Sequence, residues 1–207
     1  MNISVKHIWF DFSETITRSN NEAHARLRHA AYAEIIGRPV TPELVREYDA
    51  LIKKHKSHSA VFMSLGKPAG FWSERISSYG GKDLLRLADP ESPKVFQALK
   101  KVLPISIFSN VRVRGLLPVL GIDPMWFTHI LGPDEIKNPK PALEGFYRMV
   151  ELSGVPSENI LYIGDSMEKE LMPAKSVGVQ TGLMWSESPE VDYSFKNFDD
   201  ILQVPHI

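Results

Sequence analysis

The sequence predicts an α/β fold, a doubly wound parallel sheet with an α-helical segment inserted near its start. Three observations carry this. Short apolar runs of strand length recur and end on a small or acidic polar residue, as at Val5–Asp11, Ile105–Ser109 and Ile160–Asp165. In the second half, stretches with helical spacing separate those runs, the connection that parallel strands require. Between about 18 and 88 the signals are helical, with no convincing strand. Residues 1–17 and 89–207 therefore form the expected core, and 18–88 a helical insert.

The elements follow in order. Val5–Phe10 is the first strand and stops at Asp11. Ser19 to Glu22 has the S-x-x-E form of a capping box and opens a helix carrying Ala23, Leu27, Ala31 and Ile35, closed by Gly37. Thr41 as cap and Pro42 at the first helical position start a second, and Pro68 a third around Phe71, Trp72 and Ile76. Pro93 opens a helix before the strand Ile105–Phe108. A helix over 112–120 is expected next, then a short strand at Ile130–Leu131. Pro141 begins a helix with Leu143, Phe146, Tyr147 and Val150 inward, and Ile160–Ile163 is the next strand. Proline is tolerated only in a helix's first turn, so Pro173 places the following helix from about Glu170 to Gly178, before a last strand near Val179–Trp185.

Composition narrows the function classes. A chain of 207 residues can bury one sizeable core, or a core and a smaller insert. A net charge of −1 without long runs of like charge predicts neither a nucleic-acid nor a membrane surface. The absence of cysteine excludes disulfides, thiolate catalysis and Cys-ligated metal sites. No apolar stretch approaches the roughly 20 residues of a membrane span, and the first strand leaves no room for a signal peptide, so a cytoplasmic monomer or homodimer is expected.

Right-handed crossovers bring the strand ends carrying Asp11, Ser109 and Asp165 to one edge of the sheet. Asn110 follows Ser109, and the loop Lys137–Pro141 adds Lys140 immediately before a proline-started helix. Two acids, a hydroxyl, an amide and a lysine on one rim suit an anionic substrate whose charge a metal neutralises. Asp11-Phe12-Ser13-Glu14-Thr15, Ser109, Lys140-Pro141, and Gly164-Asp165-Ser166 with Glu170 stand in the order of the four motifs of the haloacid dehalogenase-like hydrolase superfamily. Along nearly its whole length the chain resembles members with a Rossmann-like core and a helical cap inserted after the first strand.

That resemblance implies Asp11 as the nucleophile of an aspartyl intermediate and Thr15 as the residue orienting it. Mg²⁺ would be held by Asp11, the Ser13 carbonyl and Asp165, with Glu170 in or beside the shell. Ser109, the Asn110 backbone and Lys140 would grip the phosphoryl oxygens of a small phosphorylated substrate. Ser13 departs from the family pattern, whose phosphatases have an aspartic acid there as proton donor. A serine hydroxyl is too weak an acid for that task, a loss typically worth ~100 to 10,000-fold. The resemblance therefore implies a Mg²⁺-dependent phosphatase or phosphotransferase suited to good leaving groups. The alternatives are a 2-haloacid dehalogenase-type reaction through an Asp11 ester, or a member that binds ligand or partner without turnover. Glu14 is expected to be a solvent-facing turn residue, and His55 and His58 to be exposed.

Overall fold

The computed structural model of the chain describes residues 4–79 and 83–204. In chain order the elements are β1 (His7–Phe10), β2 (Thr17–Ser19), α1 (Asn21–Ile36), α2 (Pro42–His55), α3 (His58–Ser64), α4 (Phe71–Ser78), β3 (Leu85–Leu87), α5 (Ser92–Leu99), β4 (Ile105–Phe108), β5 (Ile130–Leu131), α6 (Glu144–Ser153), β6 (Ile160–Gly164), a π-helical turn (Met167–Leu171), α7 (Met172–Ser176), β7 (Gln180–Met184) and β8 (Tyr193–Phe195). The chain divides into two compact units. One joins the residues up to Arg18 with those from Arg86 onward, and the other is Ser19–Leu85.

The first unit holds a six-stranded sheet in the order β5-β4-β1-β6-β7-β8. Every pairing in it is parallel. Central β1 sets Ile8 opposite Ile105 on β4 and opposite Leu161 on β6. β1, β4 and β6 are buried at every residue, as strands covered on both faces must be. On one face Trp9, Phe108 and Tyr162 pack with Phe146 and Met149 of α6. On the other, Phe10 lies edge-on to Phe96 of α5 and stacks on Phe198. From β1 the chain builds outward through β4 and β5, then returns to β1's other side at β6. The carboxyl ends around β1 are therefore the switch point where open α/β sheets bind ligands.

The second unit contains α1 to α4. Asn20 caps α1 by accepting the Ala23 N–H, one residue past the expected Ser19, and Gly37 ends it in the left-handed conformation. Thr41 and Pro42 start α2 as expected. Tyr48, fully buried, packs against Tyr32 and Phe62, and Phe62 stacks on Trp72. His58 is half-buried rather than exposed, because its Nδ1 pairs with the Tyr48 hydroxyl at 2.9 Å and its ring stacks on Tyr48.

Several expectations are corrected. Helical residues do not fill 18–88, since β2 and β3 pair as a two-stranded ribbon. Three-residue strands carry too little alternation to read. Residues 114–117 form turns, with one 3₁₀ turn at Pro118–Leu120. Gly115 and Pro118 explain this, the first through backbone entropy and the second through its missing N–H. The buried face of α6 is Gly145, Phe146 and Met149, whereas Tyr147 is 60% exposed. A Cβ on Gly145 would collide with the Phe108 ring, so the residue type that weakens a helix permits its close approach to the sheet. Helical backbone also begins at Met167, before the expected Glu170.

His7 adds a titratable group to this core. Its Nε2 lies 2.8 Å from Ser106 Oγ and its ring stacks on Trp9. Burial, aided by nearby His129, lowers its pKa from 6.5 to about 4. The unfolded chain therefore binds a proton between those values that the folded chain refuses. Stability from His7 is full above pH 6.5 and lost as pH falls toward 4, by about 3 kcal/mol at most. Urea unfolding at pH 7 and 4.5 should show this loss in the wild type, and His7→Gln should lose less. Equal acid sensitivity in both would refute it.

Candidate active site

The site is built at the carboxyl ends of β1, β4 and β6. Asp11 directly follows β1 and is 3% exposed, held by donation of its N–H to the Ile163 carbonyl at 2.8 Å. The chain then turns tightly, the Phe12 carbonyl accepting the Ile16 and Thr17 N–H groups and the Thr17 hydroxyl. Glu14 takes a left-handed φ of 63° within this turn. Such a conformation costs a non-glycine residue roughly 1–2 kcal/mol. The surroundings impose it, since the Glu14 carbonyl accepts from Arg18 Nη1 at 2.8 Å and Trp185 Nε1 at 2.9 Å. Arg18 lies over the Trp185 ring and pairs with the Glu14 carboxylate at 3.4 Å. Glu14 is thus half-buried and tied down rather than free in solvent.

Lys140 arrives from the loop before α6, and its main chain is anchored by Asn110. Asn110 Oδ1 accepts the Lys140 N–H at 2.9 Å and its Nδ2 donates to the Lys140 carbonyl at 3.1 Å. Its ammonium, 5% exposed as a residue, lies 2.6 Å from Asp11 Oδ1, 2.6 Å from Glu170 Oε1, 2.8 Å from the Tyr162 hydroxyl and 3.2 Å from the Phe108 carbonyl. Burial opposes the ammonium's charge, yet Asp11 and Glu170 hold its pKa well above the usual lysine value.

Asp165 follows β6 and accepts the Thr15 hydroxyl at 3.3 Å. Thr15, expected to orient Asp11, orients Asp165 instead, because the turn after Phe12 carries it across to the end of β6. Burial and the Asp11 charge raise the Asp165 pKa to about 6. Glu170 comes from the π-helical turn, in which the Leu171 N–H reaches back five residues to the Ser166 carbonyl at 3.1 Å. Burial, with the Asp11 charge, pushes its carboxyl up to about 8 despite the bond to Lys140. Gly164 is needed beneath it, since a Cβ there would strike the Glu170 carboxylate.

Asp11, Asp165 and Glu170 each present an oxygen, all within 4.8 Å of one another. Asp11 Oδ2 and Glu170 Oε2 are buried without a hydrogen-bond partner among the described residues. Unpaired buried carboxylate oxygens are costly and call for a cation. The donor set, all hard oxygens, fits a divalent ion such as Mg²⁺. A cavity of about 270 Å³ opens here, lined by Asp11, Ser13, Glu14, Asn110, Lys140, Asp165, Ser166, Lys169 and Glu170.

Of the eight residues singled out in the sequence, six line this cavity, all but Thr15 and Ser109, and the Thr15 hydroxyl bonds Asp165, one of the six. Ser109 is buried at the end of β4, its hydroxyl accepting the Val111 N–H at 3.2 Å. Sequence reasoning missed Tyr162 and Lys169, and gave Ser166, quoted within the fourth motif, no role of its own. A tyrosine inside an otherwise aliphatic strand three residues before Asp165 was the available signal for the first.

The family described as haloacid dehalogenase-like hydrolase matches residues 5–178. This chain belongs to that family. Its relatives include the glyceraldehyde 3-phosphate phosphatase of Methanocaldococcus jannaschii, 36% identical over 192 residues, which cover 86% of this chain and 83% of that protein. The phosphoglycolate phosphatase of Escherichia coli (strain K12) is 26% identical over 119 residues, about half of each chain. Among solved structures, a HAD phosphatase from Thermococcus onnurineus aligns over 97% of each chain with a TM-score of 0.75 and 17% identity. The HAD hydrolase YfnB from Bacillus subtilis, bound to magnesium, aligns over 99% of this chain and 100% of its own, with a TM-score of 0.65 and 17% identity. At such identities these two likenesses establish the fold. The hydrolase thus has its family's α/β core, and no helix among the described residues is long and apolar enough to cross a membrane.

Proposed function

We propose that this hydrolase is a Mg²⁺-dependent phosphatase or phosphotransferase acting on a small phosphorylated metabolite, with Asp11 as nucleophile. One observation carries the reading: Asp11 Oδ1 is pinned by Lys140 while Oδ2 is unpaired, inside a cluster of three carboxylates. Both near-full-length and half-length relatives are phosphatases by name, of glyceraldehyde 3-phosphate and phosphoglycolate.

Asp11, the Ser13 carbonyl, Asp165 and the second oxygen of Glu170 would hold Mg²⁺, whose charge would offset the repulsion between a carboxylate and a phosphoryl dianion. Lys140 holds Asp11 at a fixed angle and keeps its positive charge beside the reacting oxygens. An Asp11 carboxylate oxygen attacks phosphorus, forming an acyl phosphate as the leaving oxygen departs with its electron pair. Water then attacks phosphorus, releasing phosphate and regenerating Asp11. Ser13 supplies no proton at neutral pH, so acyl and aryl phosphates are favoured over alkyl phosphates. A halide-displacing reading gives Asp165 and Glu170 no task, since halide leaves a carbon centre without metal help.

Phosphate release from acetyl phosphate, p-nitrophenyl phosphate, 2-phosphoglycolate and glyceraldehyde 3-phosphate, with Mg²⁺ or with EDTA, tests the proposal. Mg²⁺-dependent release, fastest from the first two, is expected. Halide release from 2-haloacids in EDTA would replace it with the dehalogenase reading. Binding of Mg²⁺ and phosphate without any turnover would replace it with a ligand-binding role.

A further inference from the structure

The residues lining the 270 Å³ cavity bring together four carboxylates, Asp11, Glu14, Asp165 and Glu170, and two lysines, Lys140 and Lys169. The lysines are not equivalent. Lys140 is buried, and its three N–H donors face four acceptors of the protein itself, so none is left for the far end of a ligand. Lys169 is exposed, lines the same cavity, and has no ion pair or ammonium hydrogen bond among the described residues.

The local backbone explains how adjacent residues come to line one cavity with one of them buried and the other exposed. The turn over Met167–Leu171 is π-helical, and Ser166 caps it by accepting the Lys169 N–H at 3.4 Å. Such wide turns are rare and concentrate at functional sites. Here the turn sends Glu170 inward to Lys140 and leaves Lys169 over the cavity. Glu14, another acid of the lining, is already paired with Arg18. A ligand whose phosphoryl group approaches Asp11 therefore meets one uncommitted cation beyond it.

We propose that Lys169 is a specificity residue that selects phosphomonoesters carrying a second anionic group close to the phosphoryl group. This inference rests on the phosphatase reading and names the substrate class of that site. A carboxylate or a second phosphate would take a charge-assisted hydrogen bond from Lys169, whereas a neutral polyol or aldehyde end would not.

The test uses the full chain with saturating Mg²⁺ and three substrates: 2-phosphoglycolate, 1,3-propanediol bisphosphate and glycerol 3-phosphate, whose far ends are a carboxylate, a phosphate and a neutral diol. The wild type should favour one of the first two over the third in kcat/KM. Lys169→Gln should reduce that preference about 10-fold or more, through KM, with Lys169→Arg restoring most of it and Lys169→Glu reducing it further. The substrate with the larger loss identifies the second group. Matching melting temperatures exclude misfolding. A preference unchanged within about twofold in Lys169→Gln would overturn the role of Lys169 while leaving the phosphatase reading intact. No Mg²⁺-dependent phosphate release by the wild type from any of these, or from acetyl phosphate, would overturn both.

Discussion

Ser13→Asp is expected to raise kcat/KM on an alkyl phosphate by ~100 to 10,000-fold, the usual worth of a positioned general acid and base. Residue 13 is exposed and lines the cavity that holds Asp11 and Asp165, so a longer acidic side chain has room there. The turn around it is set by main-chain bonds to the Phe12 carbonyl and by the grip of Arg18 and Trp185 on Glu14, none of which uses the Ser13 side chain. The gain should depend on the leaving group. It is largest for glycerol 3-phosphate and smallest for p-nitrophenyl phosphate, whose phenolate departs without a proton. A series of phosphates of graded leaving-group acidity, assayed with wild type and variant, measures it. A uniform gain, or none in a wild type that does turn over, would show that Ser13 is not where acid help is lacking.

Asp11→Asn should abolish turnover, on the order of 10⁴-fold or more, because the amide is a poor nucleophile and the other two carboxylates of the cluster, Asp165 and Glu170, are the ones left to hold the metal. The fold should survive. Asparagine keeps the shape, and the buried Lys140 ammonium retains Glu170, Tyr162 and the Phe108 carbonyl. Borohydride reduces an acyl phosphate to an alcohol, so treating wild type during turnover should convert Asp11 to homoserine, detectable by peptide mass. The asparagine variant should show no such product. Homoserine at Asp165, 2-amino-5-hydroxypentanoic acid at Glu170, or appreciable turnover by a folded Asp11→Asn protein, would move the nucleophile elsewhere.

Much of the fold was legible because its signals are local. The apolar runs at His7–Phe10, Ile105–Phe108 and Ile160–Gly164 are buried on both faces, so they read as continuous hydrophobic stretches. Thr41 and Pro42 mark a helix start through groups a few residues apart. The segment 112–120 misled because its apolar residues have helical spacing, while Gly115 and Pro118 decide the backbone. Tyr147 misled for another reason, since which face of α6 meets the sheet depends on the close contact that Gly145 allows with Phe108.

The sequence by itself determined which groups gather at the strand ends, since strand-terminal positions and right-handed crossovers leave little choice of edge. Only the tertiary structure decided how they are paired. Thr15 serves Asp165 across 150 positions, Lys140 binds Asp11 across 129, and Tyr162 joins that lysine from inside β6. The π-helical turn likewise sends Glu170 inward and leaves Lys169 at the cavity. The physical reason is one of range: propensity and capping act over a few residues, whereas a partner's identity depends on strand register and packing between segments far apart in the chain.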